Sequence, residues 1–334
     1  MKTLERDAKF YLAGLFVIAL CLGACFLSGC TEAPKAQAGS DAESAVAEGS
    51  QVVRFTDDLG NEVTVDNPQR VVACMGSFAN TWELAGGTLV GATDDAFTSY
   101  EIASAEVAQV GDFTAPNLEA IIALEPDFVI MTGASSGKDG VASQTDLKQT
   151  LEASGIKVAY FNVTTFDDYL RMLRTFCDIT GRDDLYEQHG TAVQQQIESI
   201  KTAAASQSEQ PRVLLMTTFS GGTRVQNSAT MTGTMLADLG VVNLADENKS
   251  LLKDFSLESV IDLDPDFIFV VPMGNDNAAA MKNLTEATEA NPAWATLSAV
   301  KNNRFITLSM DHFLAKPNEH WAESYQILSD HLYA

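Results

Sequence analysis

The chain has 334 residues and a formal net charge of −24 at pH 7, from 45 acidic and 21 basic side chains. This acidic balance argues against nucleic acid as a partner, because binding to phosphates needs clusters of lysine and arginine. It also argues against anionic lipid as a partner of the folded surface, and it is typical of a soluble, monomeric exported protein.

The first 29 residues have the pattern of a secretion signal. Residues 1–9 are rich in charge, the segment from Phe10 to Gly29 carries none, and it ends in Leu-Ser-Gly followed by Cys30. This ending resembles a lipobox, which predicts cleavage before Cys30, acylation of Cys30 and anchoring to the outer face of the cytoplasmic membrane. Two alternatives stay open: the apolar segment is long enough to be retained as a membrane anchor, and Cys25 lies in a weaker second lipobox.

The segment that follows the signal is too polar to fold by itself. Residues 30–50 consist mainly of Ala, Ser, Glu and Gly, which predicts a disordered tether. After cleavage and acylation, the remaining cysteines are Cys74, at the end of an apolar strand, and Cys177, in a helix. We expect two buried free thiols, and a disulfide is the alternative in an exported protein.

From residue 51 onwards the predicted elements alternate between strands and helices. Alternating β-forming residues around Asp-Asp-Leu-Gly-Asn predict a hairpin, and strand–helix units follow as far as a strand at Lys157–Phe161. The region 166–206 contains no strand, and its apolar stripe predicts one long helix over 183–205. Strands and helices resume at Arg212, and Pro317 opens the last helix. The pattern predicts an α/β fold with parallel sheets, organised as a first lobe (51–181), a linker helix (182–206) and a second lobe (207–334).

One unit of the sequence occurs twice. NLEAIIALEPDFVI at residues 117–130 returns as SLESVIDLDPDFIF at residues 256–269, with seven identical positions at a constant offset of 139. Each copy predicts a short helix, capped in the first copy by Asn117, then a Pro-Asp break and a buried strand. Each copy also places a glutamate, Glu119 or Glu258, in the first helical turn, where a carboxylate is favoured by the helix dipole even without a partner.

Four segments in this order, behind a lipobox, resemble one family. They are the two copies of the repeat, TDDLGNEVTVDNPQRVVA, and NPAWATLSAVKNNRFITL, and they resemble the cluster III (class A-II) periplasmic-type substrate-binding proteins of ABC importers. The resemblance implies two Rossmann-like lobes joined by a single long α-helix, with no catalysis and no cofactor. It implies a transported metal chelate as ligand, which is an iron-siderophore, haem or cobalamin. It also implies that Glu119 and Glu258 pair with arginines of the permease, and that a partner ATPase handles the nucleotide.

The candidate ligand residues follow the predicted strands. Open parallel sheets bind ligands beyond the carboxyl ends of their strands, so loops such as Thr218 to Arg224 should face the ligand. The candidate side chains in these loops are Met75, Ser77, Phe78, Phe97, Tyr100, Ser135, Phe219, Arg224, Met273, Met310, His312 and Phe313.

Several of these candidates have an ordinary structural alternative. His312 could ligate haem iron, or it could be a satisfied loop histidine. The three methionines could form a soft wall or supply an axial ligand, or they could pack the strand ends. Arg224 could meet an anionic ligand, or it could neutralise nearby acids.

An α/β-hydrolase is the alternative function. Gly133–Gly137 matches Gly-X-Ser-X-Gly after a strand, with Ser135 as the nucleophile and His312 downstream. The nucleophile elbow requires a helix immediately after the turn, whereas Lys138-Asp139-Gly140 continues the loop. Binding is therefore the favoured function.

Overall fold

The computed structural model of the chain describes residues 52–134, 143–253, 256–274 and 277–333. The predicted signal, Cys30, the predicted tether and Ser135 lie outside the described residues. None of the helices in these ranges has the length and apolar character needed to cross a membrane.

The described strands are, in chain order, β1 (Val52–Thr56), β2 (Glu62–Asp66), β3 (Val71–Ala73), β4 (Gly91–Ala92), β5 (Ala108–Gln109), β6 (Gly111–Asp112), β7 (Ala115–Pro116), β8 (Phe128–Thr132), β9 (Lys157–Phe161), β10 (Arg212–Phe219), β11 (Gly222–Gln226), β12 (Val242–Asn243), β13 (Phe267–Pro272) and β14 (Phe305–Thr307).

The described α-helices are α1 (Gly76–Leu84), α2 (Asp95–Ser99), α3 (Leu118–Ala123), α4 (Lys148–Ala153), α5 (Phe166–Thr180), α6 (Asp183–Tyr186), α7 (Ala192–Ala205), α8 (Met231–Asp238), α9 (Leu244–Glu247), α10 (Leu257–Leu263), α11 (Asn277–Glu289), α12 (Ser298–Lys301), α13 (Met310–Phe313) and α14 (Trp321–Tyr333). Short 3₁₀ segments cover Gln144–Leu147, Lys249–Leu252, Pro292–Thr296 and Asn318–His320.

Two sheets organise the chain, and each defines a lobe. The first has the strand order β5-β4-β3-β8-β9, and all of its pairs are parallel. The second has the order β11-β10-β13-β14, with β12 also paired to β10, and all of its pairs are parallel except β10–β11. Every residue of β3, β8 and β13 is buried, as expected for apolar strands covered by helices on both faces. The predicted α/β fold is confirmed.

The edge of the second sheet differs from the prediction. The segment predicted as a loop, Thr218 to Arg224, is a hairpin in which β10 continues to Phe219 and β11 returns antiparallel from Gly222. Ser220 and Gly221 form the two-residue turn, and Gly222 has a φ of +142° that favours glycine. The prediction was wrong because the two glycines were interpreted as loop residues rather than as the turn of a hairpin.

The predicted helix over 183–205 is present and contains one irregular turn. α6 continues through a π-helical turn at Glu187–Thr191 into α7. Gly190 lies in this turn, where an added Cβ would be 3.2 Å from Tyr186 and 3.3 Å from Leu170. A larger residue would therefore crowd the packing of the linker helix against α5.

The largest apolar cluster runs through both lobes. In the first lobe, Phe176 of α5 packs edge-to-face against Trp82 (centroids 5.4 Å apart) and Phe161 (5.1 Å). The same cluster includes Ile197 of α7 and Leu215 of the second sheet. Smaller clusters fill the far side of each sheet. Residues 49–334 accordingly form one compact unit.

Both described cysteines are free and buried, as expected from the sequence. Burial raises the pKa of the Cys177 thiol to about 11, and burial also raises the pKa of the Cys74 thiol. Since the thiolate is the reactive form, both groups are inert packing residues.

The duplicated sequence is also a duplicated structure. Asp127 accepts hydrogen bonds from the backbone N–H of Arg70, and Asp266 accepts one from the backbone N–H of Arg212. Each arginine guanidinium in turn donates to carbonyls at the end of the repeated helix, at Leu124 and Leu263. The same Asp–Arg arrangement therefore ties the repeated helix and strand to the first central strand of each lobe.

Candidate functional site

A cavity of about 270 Å³ lies at the carboxyl ends of β10 and β13, and we call it the strand-end cavity. Phe219, Met273 and Phe313 supply much of its apolar wall, and Arg224 also lines it. These four candidates, which come from three separate segments of the sequence, are brought together by the fold. Val163 and Thr164, which follow β9, also line the cavity, so both lobes contribute to it.

Two basic side chains face the strand-end cavity. Arg224 is exposed, and its guanidinium carbon lies 5.1 Å from the centroid of the Phe219 ring. Lys316 is half-buried. Burial lowers the pKa of Lys316, and the charge of Asp95 partly opposes that shift. Among the described residues neither cation has an ion-pair or hydrogen-bond partner for its side-chain nitrogens. The cavity therefore offers two positive charges without a direct ion-pair partner among the described residues, in a chain of net charge −24.

The loop that carries Lys316 is tied to the first lobe. The Tyr100 hydroxyl donates to the Lys316 carbonyl at 3.1 Å. Asn318 Nδ2 donates to the Ser77 carbonyl at 2.9 Å and to Asn80 Oδ1 at 2.6 Å. Asn318 is 1 % exposed and has a φ of +47°, a conformation that few residues other than glycine and asparagine adopt readily. These bonds fix the backbone of Lys316 between the lobes.

A second cavity, of about 680 Å³, adjoins the first through Lys316, and we call it the side cavity. Its lining comes from both lobes and from the linker helix, and it includes Tyr100 and His312 among the predicted candidates. The remaining titratable side chains that line it are Glu83, Glu101, His189, Asp311, Glu319, His320 and Glu323. Since this lining is mainly acidic, it is less suited to an anion than the strand-end cavity is.

His312 is held by neighbouring protein groups. Its Nδ1 is 3.0 Å from Ser324 Oγ, and its Nε2 is 3.9 Å from Glu323 Oε1. His320 Nδ1 lies 3.3 Å from the other oxygen of Glu323. The described residues contain no group of three or more His, Cys, Asp or Glu side chains that could hold a metal ion. His312 lies in α13 rather than in a loop, and its ring nitrogens face protein groups.

The other candidates lie away from the two cavities. Phe78 is 1 % exposed and packs edge-to-face on Phe161, so it is a core residue. Ser77 is equally buried, and its carbonyl serves the contact with Asn318. The remaining three are half-buried: Met75 and Phe97, which pack on the core, and Met310, which is not in the lining of either cavity.

Glu119 and Glu258 occupy equivalent exposed positions. Each is the second residue of its helix, after a cap in which Asn117 accepts from Ala120 N or Ser256 accepts from Ser259 N. Each helix leads into a parallel strand, so its N-terminus lies at the carboxyl edge of the sheet. Neither carboxylate has a hydrogen bond or ion pair among the described residues. Both are therefore available to a partner on the edge that also holds the strand-end cavity.

Two α/β lobes around a cavity at their strand ends define a substrate-binding protein of the class III periplasmic type. The chain belongs to the periplasmic binding protein family, which it matches over residues 71–311. It is therefore an extracytoplasmic substrate-binding protein rather than an enzyme, with a small-molecule ligand and an ABC permease as partner.

Individual relatives are distant but cover most of the chain. The Fe(3+)-citrate-binding protein YfmC of Bacillus subtilis is 24% identical over 300 residues, which is 88% of this chain and 89% of the relative. Among solved structures, Staphylococcus aureus SirA complexed with staphyloferrin B has a TM-score of 0.64 at 20% identity, covering 84% of this chain and 97% of SirA. S. aureus IsdE complexed with heme has a TM-score of 0.63 at 19% identity, covering 79% of this chain and 99% of IsdE.

Proposed function

We propose that this protein is a lipid-anchored receptor that delivers an anionic ferric chelate, of the citrate or carboxylate-siderophore class, to an ABC permease. The observation that carries the proposal is the pair of unpaired cations, Arg224 and Lys316, that line the strand-end cavity. The iron is cargo held by its chelator, so the protein itself needs no metal ligand.

The chemistry of the two cations favours carboxylate groups. A guanidinium binds carboxylates through charge-assisted hydrogen bonds, and these are about twice as strong as neutral ones. A half-buried ammonium group without a partner should contribute more to the binding free energy of an anion than an exposed one does. The reason is that part of its desolvation has already taken place on folding. The name of the relative YfmC, an Fe(3+)-citrate-binding protein, supports this ligand class.

Haem and cobalamin fit these observations less well. Haem iron would require a free axial ligand, and the ring nitrogens of His312 already face Ser324 and Glu323. Two thioether side chains line the strand-end cavity, Met231, which is 9% exposed, and Met273, which is 37% exposed. Cobalamin carries a single phosphodiester charge, so it would pair with at most one of the two cations. We therefore place an anionic iron complex ahead of both.

Delivery requires a docking surface, and the two glutamates provide the charge for it. Glu119 and Glu258 would each pair with a basic side chain of the permease, one for each lobe. Such charge pairs steer the encounter and fix the orientation of the complex. A partner ATPase would drive transport, and the receptor itself would act as a monomer.

The ligand class can be tested by titrating the purified protein with ferric citrate, ferrioxamine, haem and cyanocobalamin in turn, followed by calorimetry and visible absorption. We expect saturable binding of ferric citrate, and weaker binding of ferrioxamine, which lacks the negative charge. Tight binding of haem or cyanocobalamin in the absence of ferric citrate binding would overturn the proposed ligand.

The anchor can be tested separately. Cys30→Ser removes the proposed acylation site and should move the protein from the membrane fraction to the medium or periplasm. The same substitution at Cys25 is the matched control and should leave the protein on the membrane. Membrane retention of the Cys30 variant would instead indicate an uncleaved anchor.

A further inference from the structure

Two exposed apolar side chains hold equivalent positions in the two lobes. Large exposed apolar residues on the described part of the chain are Val52, Leu59, Phe113, Leu252 and Met273. Phe113 lies six residues before Glu119, and Leu252 lies six residues before Glu258. Both are 39% exposed. A single exposed apolar residue is ordinary, but the same residue class at the same offset in both lobes indicates a shared role.

In the first lobe, the backbone at Phe113 is fixed while its side chain is left in solvent. Phe113 lies at the tip of the β6–β7 hairpin, and its carbonyl accepts a hydrogen bond from Gln144 Nε2 at 2.7 Å. Gln144 is 3 % exposed and also bonds the Cys74 carbonyl and the Thr132 N–H, at the ends of β3 and β8. The hairpin tip is therefore attached to the carboxyl edge of the first sheet.

In the second lobe, Leu252 is placed in a comparable way. It ends the 3₁₀ segment Lys249–Leu252, which packs against β11. The preceding residue, Leu251, is 2% exposed and belongs to the core of the second lobe. The core thus anchors the segment, and the next side chain along it points to solvent.

Each apolar residue is within reach of the glutamate in its own lobe. Six residues of chain span at most about 20 Å, even when fully extended. A patch of this width fits within one partner's share of a standard interface, about 800 Å². Each lobe therefore has one exposed acid with one exposed apolar residue no more than about 20 Å away along the chain.

We propose that Phe113 and Leu252 are apolar contact residues of the permease-docking surface, one beside each docking glutamate. This inference rests on the proposed docking role of Glu119 and Glu258. The duplicated patch fits a partner with two equivalent halves, each of which presents a basic side chain next to an apolar depression. A second copy of this chain is disfavoured as the occupant, because two surfaces of the same strong negative charge repel each other.

Photo-crosslinking in living cells tests the contact without knowledge of the ligand. Benzoylphenylalanine is placed at position 113, 252 or 52 of the full chain, and the crosslinked partner is identified by mass spectrometry. Val52 is the matched control because it is exposed but lies about 17 Å along β1 from the β1–β2 turn. That turn is at the carboxyl end of β9, where the Asp58 N–H donates to the Tyr160 carbonyl. We expect the permease as the product from positions 113 and 252, and none from 52. Chain dimers as the product, or no permease from 113 and 252, would overturn the inference.

A second measurement separates docking from ligand contact. The double variant Phe113→Ala, Leu252→Ala should reduce uptake of ⁵⁵Fe-citrate at subsaturating receptor by about tenfold, the effect of removing modest interface anchors. Its affinity for ferric citrate should stay within twofold of the parent protein. Unchanged uptake, or a loss of affinity, would reject the inference. The double variant Glu119→Arg, Glu258→Arg is measured in the same strain to keep the two proposals distinguishable. If uptake is lost in this variant but not in the Phe113→Ala, Leu252→Ala variant, the docking role of the glutamates is supported and the role of the apolar residues is rejected.

Discussion

The two cations of the strand-end cavity differ in exposure, and this difference predicts unequal losses on substitution. Lys316 is half-buried, and burial lowers its pKa. Its hydrogen bond to a ligand carboxylate should be worth about 1.5–3 kcal/mol, so Lys316→Met should weaken binding about 10- to 150-fold. Arg224 is exposed and screened by water. Its pair should be worth at most about 1 kcal/mol, so Arg224→Met should weaken binding no more than about fivefold.

The assay is isothermal titration calorimetry with ferric citrate, together with thermal unfolding of each unliganded variant. The exposed Lys301 supplies the matched control, since Lys301→Met removes the same charge away from the cavity. Lys316→Met should unfold at the same or a higher temperature than the parent protein. The reason is that its folded-state pKa lies below the unfolded value, so the charged form opposes folding below the folded-state pKa. Equal losses in the two cavity variants, or a destabilised Lys316 variant, would refute this reasoning.

Three further outcomes follow from the described geometry. Glu119→Arg combined with Glu258→Arg should abolish uptake and leave ligand affinity intact; a fall in affinity would place the glutamates in the ligand site instead. Affinity for ferric citrate should decline as the pH rises, and the decline should begin below the usual lysine pKa of about 10.4. The reason is that the lowered pKa of Lys316 makes it lose its proton at a lower pH than an ordinary lysine. A calorimetric pH series on the Lys316→Met variant should lack this decline. In urea unfolding, Asp127→Ala should cost about 2 kcal/mol and Asp266→Ala about 1 kcal/mol, since Asp127 accepts two backbone N–H groups and Asp266 accepts one; the reverse order would contradict it.

The elements of the fold could be predicted where local signals agreed with each other. The short helix in each copy of the repeat, α3 and α10, was predicted because the two copies share one pattern that ends in a Pro-Asp break before a buried strand. The hairpin of β10 and β11 was missed because adjacent glycines such as Gly221 and Gly222 are compatible with both an open loop and a tight turn. Only the pairing of Phe219 with Gly222 in the structure shows that the segment is a hairpin. The antiparallel edge strand of the second sheet was therefore not predicted either.

The binding site was less accessible to sequence than the fold. Arg224, Phe219 and Met273 were found because the sequence places them after predicted strands, although Phe219 ends β10 and Arg224 lies in β11. Phe78 also follows a strand, but it begins a helix whose buried face packs on Phe161, and periodicity over three residues cannot show that. Lys316 was not among the candidates predicted from the sequence. Its role depends on its burial and on the lack of a direct ion pair or hydrogen bond to its ammonium group among the described residues, and both are properties of the assembled molecule.

The apolar cluster shared by both lobes has a consequence for transport. A receptor whose halves share one interior has no low-cost route to a wide-open state, because parting them would expose aromatic rings such as Phe166 of α5 and Trp321 of α14, whose centroids are 5.9 Å apart. Spontaneous emptying should therefore be slow once a guest has been captured. The free energy needed to release the ligand would therefore come from the ABC permease and its ATPase. We expect the rate of iron release to be set by the transporter rather than by the binding protein.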